Sequence, residues 1–149
     1  MNPRRVHLRL QAQSTVFGFD DGRAVELPIG PQGLTRHALR HEPPTAAELE
    51  RAIDLVEDAL ARWPGDLSAS RELVTADPLL RALPGLDQPG STLGRDAVEA
   101  LFQRLASRAL GTPVAEAELP NGGLIAAALL ILRECMHHLG FERVLVRLA

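Results

Sequence analysis

Three groups of residues have side chains that could do chemistry at the spacing they show. Cys135, His137 and His138 are metal-ligand types close together in the chain. On one helix they do not all converge, and the i, i+4 spacing is the useful one. A zinc site also needs ligands that this group lacks, so packing for Cys135 and partial exposure for the two histidines is the simpler reading. His37 and His41 do have the i, i+4 spacing, with Glu42 adjacent. No third ligand is evident, and a solvated basic face shared with Arg36 and Arg40 accounts for them. Arg36, Arg40 and His41 could instead bind an anionic ligand. Gly122-Gly123 at a helix start could offer N–H groups to an anion, although a tight turn explains the pair equally well. No Ser-His-Asp or Cys-His arrangement can be defended from spacing, and Cys135 falls on an apolar stripe, where a free cysteine behaves as a small hydrophobe.

The elements that must position these residues follow from periodicity. Residues 5 to 12 alternate, with Val6, Leu8, Leu10 and Ala12 on one face, which predicts a strand with a polar side. Phe17 and Phe19, then Asp21-Gly22, then Val25, Leu27 and Ile29 predict two more strands joined by a two-residue hairpin turn. Pro43-Pro44 should end a short helix over Leu34 to Arg40, and Thr45 with Glu48 forms a capping box that opens a longer one. In that longer helix Leu49, Ile53, Val56, Leu60 and Trp63 share a stripe, and Pro64-Gly65 should stop it. Glu72 to Thr75 reads as a short buried strand. Pro78, Pro84, Pro89 and the glycines between 85 and 94 make the next region a loop with one turn of helix.

Two helices follow. The first carries Val98, Phe102, Leu105 and Ala109 and stops at Gly111. The second is capped by Asn121, carries Leu124, Ala128, Ile131, Cys135 and Leu139 on one face, and ends at Gly140. Val144, Val146 and Leu148 alternate in a last strand. The order β-β-β-α-β-α-α-β predicts an α/β fold with a mixed five-stranded sheet of the ribonuclease-H-like kind.

Bulk properties narrow the function classes. At 149 residues, 46% of them apolar, the chain has the size of one globular domain with a real core. A net charge of −3 provides no basic field for a phosphate backbone, so nucleic acid is not an expected partner. One cysteine makes no internal disulfide, and no apolar stretch of signal-peptide length opens the chain, which together predict a cytoplasmic protein. The most apolar run, Leu124 to Leu132, is far shorter than the roughly 20 residues that cross a bilayer, so no membrane is expected. All 16 basic residues are arginine, which suggests a GC-rich genome and nothing about activity.

Several segments carry a resemblance. Leu27-Pro28-Ile29-Gly30, Leu34-Thr35 and Pro43-Pro44-Thr45-Ala46-Ala47-Glu48-Leu49 are similar to the second domain of the exopolyphosphatase and guanosine pentaphosphate phosphohydrolase (Ppx/GppA) family, in the actin-like ATPase superfamily. Leu93 to Leu105 resembles a later helix of that family. The stretch from Leu119-Pro120-Asn121-Gly122-Gly123-Leu124 to Leu139-Gly140-Phe141-Glu142-Arg143-Val144-Leu145-Val146 resembles its late helix and strand. The pieces arrive in family order over almost the whole chain.

The resemblance implies losses. Family members carry Asp-Ile-Gly-Gly-Gly-Ser-Thr at the first hairpin, where glycine N–H groups approach a phosphate and the aspartate helps hold a metal ion. This chain reads Arg9-Leu10-Gln11-Ala12-Gln13-Ser14-Thr15, so that only Ser14 and Thr15 match; they could be a remnant phosphate contact, although Ser and Thr at a strand corner usually just satisfy a turn. The family's later glycine-rich nucleotide loop falls near Val74-Thr75-Ala76-Asp77-Pro78, which lacks the glycines. The catalytic glutamate belongs to a domain for which this chain has no room.

The expectation is therefore a non-catalytic binding or regulatory module without a resident cofactor. With the family's closing helix missing after the last strand, a homodimer or protein partner is expected to bury an uncovered sheet face or edge. The alternatives are a phosphohydrolase of polyphosphate or guanosine polyphosphate, alone or with a partner supplying the missing half, and a nucleotide or phosphate sensor without hydrolysis. The enzyme would need magnesium, nucleotide and carboxylates recruited from Asp20, Asp21, Glu26 or Asp77.

Overall fold

The computed structural model describes residues 4–63 and 70–148. Their order is β1 (Arg4–Leu10), β2 (Thr15–Phe19), β3 (Ala24–Leu27), α1 (Pro31–His37), α2 (Ala46–Leu60), β4 (Ser70–Thr75), α3 (Pro78–Arg81), β5 (Thr92–Gly94), α4 (Arg95–Ala109), α5 (Gly123–Leu139) and β6 (Arg143–Val146). The strands form one mixed sheet in the order β3-β2-β1-β4-β6-β5. β1, β4 and β6 run parallel at its centre, while β2, β3 and β5 are antiparallel to their neighbours. The α/β class and the opening meander are as the sequence predicts, but the sheet has six strands rather than five.

The additional strand, β5, lies in the Pro- and Gly-rich stretch read as loop. Leu93 pairs with Val144, and hydrogen bonds from Gly90 N to Val146 O and from Val146 N to Ser91 O continue the pairing. No local pattern marks three residues as a strand, because their hydrogen-bond partners lie about fifty residues away in sequence. The same stretch also supplies core: Leu80, Leu83 and Leu86 are fully buried.

Alternation divides the sheet into two faces. Val6, Leu8, Phe17, Leu27, Leu73, Val144 and Val146 belong to the hydrophobic cluster that the helices complete. Arg5, His7 and Arg9 on β1 and Arg143 on β6 take the opposite face, with Glu72 between Arg5 and Arg143 in register. Nε of Arg5 donates to Glu72 Oε1 at 2.9 Å. β1 ends at Leu10 rather than at residue 12, because Gln11 N donates to Ser14 O and turns the chain, leaving Ala12 exposed.

The hairpin between β2 and β3 also differs from expectation. Phe19 N bonds to Arg23 O and Gly22 N to Phe19 O, with Gly22 at φ 90°, so three residues rather than two make the loop and glycine takes the left-handed position.

The helices follow their caps. α1 ends at His37, well before Pro43-Pro44, so the prolines do not terminate it. α2 opens on the predicted capping box: Thr45 Oγ1 accepts from Glu48 N, and Glu48 Oε1 accepts from Thr45 N at 2.9 Å. Trp63 follows α2 and packs edge-on against Phe17, with centroids 4.8 Å apart; the predicted stop at Pro64-Gly65 lies outside the described residues.

α4 and α5 end where glycines 111 and 140 take positive φ. α5 starts from Gly122, however, while Asn121 hydrogen-bonds Glu116 and caps nothing. Leu124, expected on the buried face, is 39% exposed. From Ala126 to Leu132 every residue of α5 is buried, and α1, α2, α3 and α4 all contact it. No described helix is long and apolar enough to cross a membrane.

Glu48 does more than cap. Its Oε2 also accepts from Arg40 N at 3.1 Å and lies 2.9 Å from His41 Nδ1, which ties the chain between α1 and α2 to the start of α2. Partial burial pushes this carboxyl upward, but the Thr45 N–H, the His41 ring and the Arg40 N–H outweigh burial and hold it at about 2, against an ordinary 4.5. A depressed carboxylate stabilises the fold above its unfolded pKa and loses that contribution as pH falls through its folded pKa. Glu48→Gln should therefore lower the urea midpoint at neutral pH. The gap to wild type should close as pH falls from about 4.5 to about 2.

Candidate functional site

The carboxyl ends of parallel strands are where open α/β sheets present their clefts. Here the ends of β1, β4 and β6 border a depression of about 390 Å³, lined by His7, Arg9, Thr75, Asp77, Arg147 and Leu148 among others. Neither Arg9 nor Arg147 pairs with a carboxylate among the described residues. The sheet positions both: Arg9 lies on the polar face of β1, and Arg147 leaves β6 with its N–H bonded to Thr75 O at 3.0 Å.

Asp77 closes this end of the sheet. It is 8% exposed, and its Oδ2 accepts from Leu10 N at 3.0 Å while its Oδ1 accepts from Leu79 N at 3.0 Å. Thr75 completes the clasp: its hydroxyl donates to Leu8 O at 2.9 Å and accepts from Asp77 N at 3.1 Å. One carboxylate thus occupies the last N–H of β1 and the first free N–H of α3, donors of the kind that bind phosphate oxygens elsewhere.

The neighbouring loop is closed in a similar way. Gln32 N and Gly33 N at the start of α1 both donate to Ala12 O. Gly30 packs so tightly on the loop that a Cβ there would lie 2.4 Å from Gln11 O and 2.5 Å from Ser14 N. A side chain at position 30 would push the loop away.

No protein-family model matches the sequence, and no curated protein matches it either. Solved structures do. A Ppx/GppA enzyme of Aquifex aeolicus superposes with a TM-score of 0.74 at 18% identity, over 99% of this chain and 54% of its own. An exopolyphosphatase-like protein gives 0.74 at 14% identity, over 98% and 56%. An exopolyphosphatase of Cytophaga hutchinsonii gives 0.63 at 12% identity, over 97% and 53%.

The fold is that of one half of a Ppx/GppA phosphatase. The chain spans about half the length of each of these structures.

Within this Ppx/GppA-like half, the residues singled out from sequence meet different fates. Ser14 and Thr15 are buried, with Ser14 Oγ donating to Gln11 Oε1 at 2.8 Å and Thr15 Oγ1 to Ile29 O at 2.7 Å, so both hydroxyl protons serve the corner itself. Arg36, Arg40 and His41 are all exposed; Arg36 lies in the last turn of α1, and His41 faces the Glu48 carboxylate. The i, i+4 reading of His37 and His41 fails because the helix stops at His37.

Cys135 is fully buried, and burial, aided by the Glu134 charge, raises its thiol far above the ordinary value, which leaves no thiolate nucleophile. Gly123 packs against Thr35 and Leu39, which supports the tight-turn reading of Gly122-Gly123. Of the recruitable carboxylates, Asp21 pairs with Arg23, Asp20 lies 3.7 Å from His7, and Glu26 is exposed on edge strand β3. Only Asp77 reaches the strand-end cleft, and it is committed to backbone donors.

Two features escaped sequence reasoning. The Asp77 clasp had a local signal in Asp77-Pro78, since Asp before a Pro at N1 is an N-cap pattern. The placing of Arg9 and Arg147 along one depression had none. Asp77→Ala should cost about 2 kcal/mol by removing a helix cap and leaving the Leu10 N–H without its partner. Asp77→Asn, which keeps one acceptor, should cost less. Urea unfolding of both variants checks the order.

Proposed function

We propose that this protein is a non-catalytic binding module built on one half of a Ppx/GppA fold. The observation that carries this reading is the Asp77 carboxylate, which already accepts the Leu10 and Leu79 N–H groups at the strand ends. The resemblance in sequence supports it. Arg9 stands at the position of the family's metal-binding aspartate, and an arginine there repels a metal ion rather than holding it. Phosphoryl transfer depends on metal-based charge neutralisation and positioned donors, and this cleft offers neither in the family's arrangement.

A specific observation favours anion binding as what remains. Arg9 and Arg147 line one depression, and guanidinium groups suit phosphate oxygens. The reading is a sensor of a phosphorylated small molecule without hydrolysis. Magnesium-dependent phosphate release from polyphosphate, ATP and guanosine polyphosphate should stay at the blank rate; turnover would sink the proposal. The same ligands in large excess should raise the melting temperature of wild type by several degrees and that of Arg9→Glu not at all.

A protein partner or a second copy belongs to the same reading. Both edge strands are short, four residues in β3 and three in β5, which disfavours pairing of sheets edge to edge. The polar sheet face with Arg5, His7 and Arg143 is the surface left to a partner. Light scattering at micromolar concentration should give the mass of a dimer, and a strict monomer would remove the second copy from the reading.

A further inference from the structure

We infer that Glu57 on α2 and Glu134 and His138 on α5 form a binding site for a first-row divalent cation, zinc above all. This site lies among the helices, apart from the strand-end cleft, and is independent of the reading given for that cleft. The three donor atoms all lie within 4.8 Å of one another. Glu134 Oε2 is 3.0 Å and Glu57 Oε1 is 3.9 Å from His138 Nε2. Tetrahedral zinc with bonds of about 2.0–2.2 Å sets its donors roughly 3.3–3.6 Å apart. Small rotations of Glu57 and His138, both partly exposed, bring the three to that spacing.

The fixed member is Glu134, which is 3% exposed. Arg133 Nη1 donates to its Oε1 at 2.7 Å, which leaves Oε2 turned towards His138. Arg133 is held in turn by Glu99, through contacts of 2.6 and 3.2 Å, and lies over the Phe102 ring at 3.8 Å. Such outer hydrogen bonds orient a metal-binding carboxylate before the ion arrives.

The surroundings suit a cation. The three donors line an open pocket of about 430 Å³ that gives an ion its entry. Four carboxylates, Glu57, Asp96, Glu99 and Glu134, face two guanidiniums, Arg95 and Arg133, so two negative charges stay unmatched while the histidines are neutral. One imidazole with two carboxylates is a donor set for zinc or a neighbouring transition ion, whereas magnesium prefers all-oxygen octahedral sites. Three protein ligands also leave a fourth position open to water or to a ligand.

The competing arrangement is a protonated His138 bridging two carboxylates, and metal titration separates the two. The full chain, stripped with EDTA, is titrated with zinc sulfate and separately with magnesium chloride, with calorimetry and thermal unfolding as readouts. One zinc per chain is expected, with a melting temperature raised by roughly 5–10 °C at 100 times the dissociation constant, and no shift with magnesium. Glu57→Gln and His138→Gln should each weaken zinc binding at least about tenfold, with His37→Gln as a control that leaves it unchanged. Absence of stoichiometric zinc binding would overturn the site, as would binding that both site variants leave intact.

Discussion

A helix that is apolar on every side has to be enclosed, and α5 imposes that condition on the whole domain. Every residue of the run from Ala126 to Leu132 is buried, so α1, α2, α3 and α4 supply cover, within one hydrophobic cluster that includes the core face of the sheet. Surface removed from water on all sides stabilises by area, and leaving any one side open would forfeit a large share of it. The tight approach of Gly123 to Thr35, the burial of Leu34 and Leu39 on the α1 side, and the burial of Leu101 and Leu105 on α4 are consequences of the same demand.

Among the described residues the buried charges are Asp77 at the strand ends, Glu134 towards the end of α5, and Arg108 on α4, whose guanidinium donates to Val114 O and Leu119 O. At the strand ends Asp77 and Thr75 satisfy backbone groups that would otherwise be buried without partners, and Arg9 and Arg147 remain at the rim. Where α5 leaves the core, Glu134 stays buried because Arg133 and His138 share its two oxygens. A carboxylate at one end of the fold therefore serves as an internal anion, while at the other it faces a pocket with excess negative charge.

The likeness to half of the Ppx/GppA structures is a likeness of fold. Gly30 lies so close to the backbone of the loop after β1 that no side chain fits there, a constraint of shape. The loop itself carries Gln11, whose N–H and side-chain oxygen both bond Ser14 within the corner, and Ala12, whose carbonyl accepts from the start of α1. Loops at the rim of a packed frame vary more readily than the core they connect.

Local rules determined much of this protein from sequence alone. The capping box at Thr45 and Glu48, the glycine stops of α4 and α5 and the alternation in β1, β2 and β6 depend on neighbours within a few residues. Tertiary structure alone decided what depends on distant partners. β5 exists because β6 offers it hydrogen bonds. The Leu10 to Asp77 and Arg9 to Arg147 relations join residues far apart in the chain. Glu134 and His138 carry a readable i, i+4 spacing, but only the packing of α2 on α5 brings Glu57 to them. Sequence spacing determines geometry within one helix or strand, while the meeting of two elements is set by the burial that all of them share.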